Sequence, residues 1–296
     1  MFPADFAYAR ADSLADALEF LAAAAAGETE AKLLAGGQSL LPMMKLRLAM
    51  PETLIDIGGV AELKGVTRDG TTTVIGALTT YRDLQRDPVV AAAFPAVTDA
   101  LAVLADGQVR ARGTVGGCVA HGDPASDLPP VLLALDAAVT IAGPSGTRER
   151  ALDDFLQDLY STDLAPDEIV TAVTVPAAPP GQAYEKFPQP ASHLPLAGAC
   201  AAVEIKDRTI CRAGVAITGV ASRPYRARDA ERILASAPLT PSLLASAAAE
   251  AGNGVRPLSD QHASGPYRLH LAEVMTLRAL GRAVERASVV ERAGAA

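Results

Sequence analysis

Leu33-Leu-Ala-Gly-Gly-Gln-Ser-Leu40 and Thr114-Val-Gly-Gly-Cys-Val-Ala-His-Gly-Asp123 are the stretches that decide how this chain is read. Each sets a Gly-Gly pair behind a short apolar run. Glycine carries no side chain and accepts positive φ, so a Gly pair can turn successive amides to one side and form a concavity for an anion. One such pair after a strand is also an ordinary turn. Two loops of this kind meeting would hold a pyrophosphate.

Working outward from the first loop, Ser13 and Asp16 stand at capping-box spacing before a helix predicted over 13–26, with Leu14, Leu18 and Leu21 on one stripe and Gly27 as its stop. A strand is predicted over 32–35, a helix opened by Ser39 and running through Pro42 and Met44 to Leu48, and a further strand over 54–57. Beyond Gly58-Gly59 the pattern changes to short strands over 63–66 and 72–75, then a helix capped by Thr80 with Asp83 three residues on. A helix over 95–105, an extended segment over 109–115, an apolar helical run over 131–135 with Asp127 as its cap, and strands over 138–141 and 169–175 complete this part. Three prolines within 176–180 make a linker. The remainder reads as a hairpin, 197–205 and 210–217 around Lys206-Asp207-Arg208, followed by helices from about Arg226, from Thr240 with Pro241, and over 267–286.

Composition narrows the function. At 296 residues, half of them hydrophobic and a fifth charged, the chain is of globular type and long enough for two or three units. A formal net charge of -8 disfavours nucleic acid and anionic membranes, leaving small molecules and proteins as partners. The N-terminal segment lacks the basic-then-apolar pattern of a secretory signal, and no stretch approaches a membrane span. Cys118, Cys200 and Cys211 are scattered with no CxxC spacing, against a disulfide frame, a zinc site or an iron-sulfur cluster in this chain. A reducing cytoplasm is the expectation. Neither a GxxxxGK[ST] loop nor a GxGxxG fingerprint is present, nor a GxSxG elbow or HExxH pair, and His121, His193, His262 and His270 are not at metal-ligand spacing.

Three blocks, LLAGGQSLLPMMKLRLAMPETLIDI, VRARGTVGGCVAHGDPASDLPPVLLALDA and AYEKFPQPAS, resemble the FAD-binding medium subunit of the molybdenum hydroxylases, the xanthine dehydrogenase and aerobic carbon monoxide dehydrogenase family, in order and spacing. The resemblance runs from Phe6 to about Ala283. It implies an α+β fold: a two-subdomain FAD-binding domain of the vanillyl-alcohol-oxidase-like PCMH type over 1–176, divided near 58, and a C-terminal α+β domain over 177–290. Carried over position by position, Leu33, Leu34, Ala35, Gly36, Gly37, Gln38, Ser39 and Leu40, with Thr114, Val115, Gly116, Gly117 and Cys118, would wrap the FAD pyrophosphate and ribityl chain through backbone amides. Ser39 and Thr114 would add hydroxyl donors, and Asp127 would accept from a cofactor hydroxyl. Leu104 and Val170 match apolar positions lining the cavity, and Lys186 the lysine beside the isoalloxazine ring, where a cation raises the flavin potential. From the residues alone, Asp127 is equally a helix N-cap and Lys186 an exposed lysine paired with Glu185 or solvent.

Departures from the family pattern are Cys118 and Ala111 where asparagine is usual, His193 at a position usually acidic, and Arg223 and Tyr225 where small residues are typical. The resemblance further implies a molybdenum-cofactor large subunit, a small subunit with two [2Fe-2S] clusters, a dimer of heterotrimers and an external electron acceptor that nothing in this chain selects. Two other readings stand beside it. One is a self-contained FAD-dependent reductase or oxidase, for which only His121 and Cys118 offer acid-base groups. The other is a non-catalytic scaffold.

Overall fold

The computed structural model describes residues 2–294, in which helices pack against one three-stranded and two five-stranded sheets, beside a further two-stranded one. The first unit orders β1 (Ala7–Arg10), α1 (Leu14–Ala26), β2 (Ala31–Leu34), α2 (Leu40–Lys45) and β3 (Thr53–Asp56). Its sheet is parallel, in the order β1-β3-β2, so each connection is a helical crossover. The predicted capping box forms: Ser13 Oγ accepts from the Asp16 amide, and Asp16 Oδ2 accepts from the Ser13 amide. Gly27 ends the helix at an ordinary φ of -85°, so its left-handed freedom is unused there. Helix α2 stops at Lys45, short of the Leu48 expected, and Ser39 makes no side-chain cap bond.

The second unit contains β4 (Val66–Asp69), β5 (Thr72–Gly76), α3 (Tyr81–Arg86), α4 (Pro88–Ala93), α5 (Pro95–Val103), α6 (Gly107–Arg110), α7 (Val115–His121), α8 (Leu128–Ala134), β6 (Ala138–Gly143), β7 (Gly146–Ala151), α9 (Leu152–Phe155), β8 (Leu156–Asp158), β9 (Ser161–Thr162) and β10 (Ile169–Val175). Its main sheet is antiparallel, in the order β4-β5-β10-β6-β7. Two expectations fail here. Residues 61–63 form a 3-10 turn and pairing begins only at Val66. The segment over 109–115 is not extended: Asp106 caps α6 through the Gln108 and Val109 amides, and Thr114 caps α7. The alternation of apolar residues in Val109–Val115 is overridden by these caps, both of which sit at readable Asp and Thr positions.

The third unit runs through β11 (Gly181–Pro188), β12 (Pro195–Lys206), β13 (Thr209–Thr218), β14 (Tyr225–Arg226), α10 (Arg228–Leu234), β15 (Ala237–Pro238), α11 (Pro241–Ala249) and α12 (Gly265–Gly294). The expected hairpin is β12–β13, turned by Asp207 and Arg208, both at positive φ as the favoured two-residue turn demands. Strands β11 and β12 have both faces covered, and alternate residues belong to different cores. Ala183, Ala199, Ala201 and Val203 join the core shared with α12, while Tyr184, Cys200 and Ala202 join that of the second unit. The period of 2 therefore turns Tyr184, and Lys186 two residues on, toward the second unit. Further bonds cross this seam: Arg282 and Arg286 of α12 pair with Asp99 of α5, and Gln182 Nε2 donates to the Ala93 carbonyl at 2.9 Å. No helix among the described residues is long and apolar enough to cross a membrane.

Candidate functional site

The two glycine loops touch. A β-carbon built on Gly36 would lie 2.1 Å from the Arg112 carbonyl oxygen and 3.0 Å from the Gly113 Cα, and one on Gly117 would lie 3.9 Å from the Ala35 β-carbon. Loop 33–40 of the first unit is thus seated against segment 112–117 of the second, backbone to backbone. Gly36 allows that approach, while Gly37 supplies the left-handed conformation that turns the chain into α2, at φ +73°.

The loops offer different things. In the first, the backbone amides of Gly36, Gly37, Gln38, Ser39 and Leu40 donate to no protein acceptor among the described residues, and Gln38 and Ser39 are exposed. In the second, the corresponding amides are committed. Val115 donates to the Thr79 carbonyl and Gly116 to that of Ala77, Gly117 to Thr114 Oγ1, and Cys118 to the Thr114 carbonyl. Backbone amides without a protein acceptor are thus found at 36–40 and not at 115–118. The second Gly pair lies inside the first turn of α7, where Gly116 lets the helix abut Ala77, a built β-carbon falling 2.4 Å from that of Ala77.

From α7 the site continues through side chains. Cys118 Sγ lies 2.9 Å from Ser126 Oγ, next in sequence to Asp127. Enclosure pushes the Cys118 thiol up to about 11, against the hydrogen bonds it shares with Ser126 and Tyr81, so it stays protonated at neutral pH. Asp127 is 3% exposed. It stands at the N-cap position of α8 but caps nothing, because Pro129 and Pro130 occupy the two positions whose amides a cap would bind. Its carboxylate turns to β11 instead: Tyr184 Oη donates at 2.7 Å, and Lys186 Nζ lies 3.0 and 3.1 Å from the two oxygens. Burial pushes the Asp127 carboxyl above its ordinary range, against the opposing pull of Lys186 and Tyr184.

Lys186 is 5% exposed at its side chain and also donates to the His193 carbonyl at 2.8 Å, so the reading as a surface lysine paired with Glu185 is overturned. Glu185 pairs with Arg282. His193 contributes its carbonyl from a left-handed backbone, its ring being at the surface. Leu104 and Val170 are buried in the hydrophobic core of the second unit, the Leu104 carbonyl taking a bond from Arg110. The ring of His121, at the end of α7, lies 5.1 Å from that of Tyr160 in a tilted contact, and burial lowers its pKa. Arg223 bonds to Asp153 and Tyr225 is buried, its hydroxyl donating to the Ala251 carbonyl.

Tyr184, absent from the residues singled out in the sequence, is the addition the structure makes. Its i,i+2 spacing to Lys186 on an alternating segment is the signal that would have found it. Among the described residues no group of three or more His, Cys, Asp or Glu side chains is placed to hold a metal ion.

Comparison with known proteins gives this arrangement a family. Residues 4–178 match the model of the FAD binding domain in molybdopterin dehydrogenase, and residues 182–283 that of the CO dehydrogenase flavoprotein C-terminal domain. The chain is 38% identical to the carbon monoxide dehydrogenase medium chain of Afipia carboxidovorans over 97% of this chain and 99% of that one. It is 35% identical to the glyceraldehyde dehydrogenase medium chain of Sulfolobus acidocaldarius over 94% and 98%. A solved carbon monoxide dehydrogenase chain from Hydrogenophaga pseudoflava superposes with a TM-score of 0.91 at 38% identity, covering 97% of this chain and 99% of that one. The chain belongs to the family of FAD-binding medium subunits of the molybdenum hydroxylases.

Proposed function

We propose that this chain binds FAD across the junction of its first two units and serves as the electron-transfer subunit of a molybdenum hydroxylase complex. The observation that carries this reading is the contact of the two glycine loops, with five consecutive backbone amides of 36–40 lacking protein acceptors beside it. A dinucleotide pyrophosphate needs several donors converging on one place, and this loop supplies them. Residues 33–40 hold the phosphates through those amides, with Ser39 adding a hydroxyl. Residues 114–118 give close backbone approach and the Thr114 hydroxyl, and Leu104 and Val170 contribute apolar wall. When bound, FAD supplies the step between single-electron carriers and a two-electron acceptor. Lys186, held by Asp127 and the His193 carbonyl, places a positive charge beside the pyrimidine end of the flavin.

Family membership supports a multi-subunit complex, and we read its partners as a large subunit with the molybdenum cofactor and a small subunit with two [2Fe-2S] clusters, assembled as a dimer of heterotrimers. Carbon monoxide dehydrogenase, glyceraldehyde dehydrogenase and nicotine 6-hydroxylase medium chains all match over nearly their full lengths, so the fold does not select a substrate. Three free cysteines suit a cytoplasmic location. The FAD-binding domain proposed over 1–176 and the C-terminal domain over 177–290 meet at Lys186, delivered from the second to the cofactor of the first.

Lys186→Met tests the assignment of the cation. Removing a positive charge next to the reduced ring lowers the midpoint potential by tens of millivolts while FAD remains bound through the loops. Spectroelectrochemical titration measures this. An unchanged midpoint removes Lys186 from the flavin's surroundings and leaves it as the buried structural partner of Asp127.

A further inference from the structure

The unpartnered amides of 36–40 supply dipoles but no net charge, whereas a pyrophosphate bridge carries two negative charges at neutral pH. The chain as a whole is acidic, at -8. A cation at the loop junction would therefore contribute much of the attraction that brings the cofactor in. Several of the basic side chains around this junction are already engaged. Arg110 donates to the carbonyls of Leu104 and Ala105 at 2.7 and 2.9 Å, Lys186 is held by Asp127, and Arg10 lies 3.6 Å from Asp12. Lys45 ends α2, five residues beyond Leu40 and so about 7 Å along the axis from the free amides.

Arg112 differs from all of these. Its backbone is the surface on which Gly36 is seated, its carbonyl oxygen 2.1 Å from where a Gly36 β-carbon would stand. Its side chain is exposed and makes no hydrogen bond or ion pair with any described residue. The position is fixed from both sides: the Arg112 amide bonds to the Val109 carbonyl, and Gly113 bonds both to Val109 and, through its carbonyl, to the Tyr81 amide. A rigid backbone at the meeting point of the loops thus carries a guanidinium with its five donors uncommitted.

We infer that Arg112 is a cofactor-binding residue, whose guanidinium neutralises and hydrogen-bonds the FAD pyrophosphate at the junction of the two loops. The inference rests on the proposed reading of those loops and adds the residue that supplies the charge.

The test is binding to the purified apo-chain, followed by quenching of FAD fluorescence, with ADP as competitor because it carries the pyrophosphate without the flavin. Wild type binds FAD, and ADP displaces it. Arg112→Gln weakens FAD and ADP by the same factor, on the order of ten- to a hundredfold, as loss of a charge-assisted pair at phosphate does. Arg112→Lys, a point charge without the planar fork, lies between. Added salt weakens wild-type binding more than that of the Gln variant. Thermal unfolding of the apo-chain is the same in all three, since the side chain bonds to nothing in the protein. Equal affinities in wild type and Arg112→Gln overturn the inference and leave the loop reading standing. Weaker FAD with unchanged ADP, or no displacement by ADP, overturns the pyrophosphate assignment. Failure of wild type to bind FAD removes the loop reading itself.

Discussion

Gly36→Val is expected to abolish FAD binding and to destabilise the protein together. The added β-carbon would fall 2.1 Å from the Arg112 carbonyl oxygen and 2.8 Å from its carbon, atoms that cannot rotate away. The two units must then separate at the seam where the loops meet. Overpacking against backbone that cannot move aside costs about 3 kcal/mol, or on the order of 10 °C in Tm for a chain of this size. Gly37 and Gly117 serve as graded comparisons. At Gly37 a side chain meets the movable ends of Leu41 and Leu34 but must hold φ at +73°, costing about 1–2 kcal/mol. At Gly117 it meets Thr114 Oγ1 at 2.7 Å and so disturbs the cap of α7. Thermal melts with FAD content by absorbance rank the three, Gly36→Val being the most severe. A Gly36 variant that melts like wild type contradicts the close seating of the loops.

Asp127→Ala has the other large effect. It leaves the Lys186 ammonium without a counter-ion at 5% exposure and the buried Tyr184 hydroxyl without an acceptor, a loss of about 3–5 kcal/mol. Asp127→Asn keeps an acceptor for Tyr184 and costs less. It also changes the pH dependence. Burial raises the folded-state pKa of Asp127 above its value in the unfolded chain, so the group's favourable contribution is full below the ordinary carboxylate range. It is lost as pH rises through the folded pKa. The Asn variant lacks this slope, which denaturant titrations at stepped pH detect. Identical slopes in wild type and Asn variant would show that Asp127 does not titrate in this way.

Much of the local fold is legible in the sequence. The capping box of α1, the Thr80 cap, the hairpin at Asp207-Arg208 and β10 rest on local rules, and each forms where those rules place it. The glycine pairs are readable as close approaches. Which amides remain free is not, because it depends on Thr79 and Ala77 arriving from another part of the chain to accept from α7. The role of Asp127 was open in the residues, although Pro129-Pro130 already removed the amides a cap requires. Tyr184 and Lys186 lie on a strand that was not predicted, since Gly181–Pro188 is mixed in polarity and ends in proline. Only the pairing with β12 makes it extended and turns both side chains toward α8.

As a member of the family of FAD-binding medium subunits, this chain is expected to carry the flavin of a larger enzyme and to depend on partner subunits for its substrate chemistry. The most direct measurement is turnover by the purified single chain, shown free of molybdenum and iron by metal analysis, set against the same chain co-expressed with its large and small subunits. The account predicts that the single chain binds FAD one to one and takes electrons from dithionite. It predicts further that the single chain oxidises no aldehyde, purine, N-heterocycle or carbon monoxide, and that the complex oxidises one of these. Substrate-dependent turnover by the metal-free single chain would contradict it and establish a self-contained flavoenzyme.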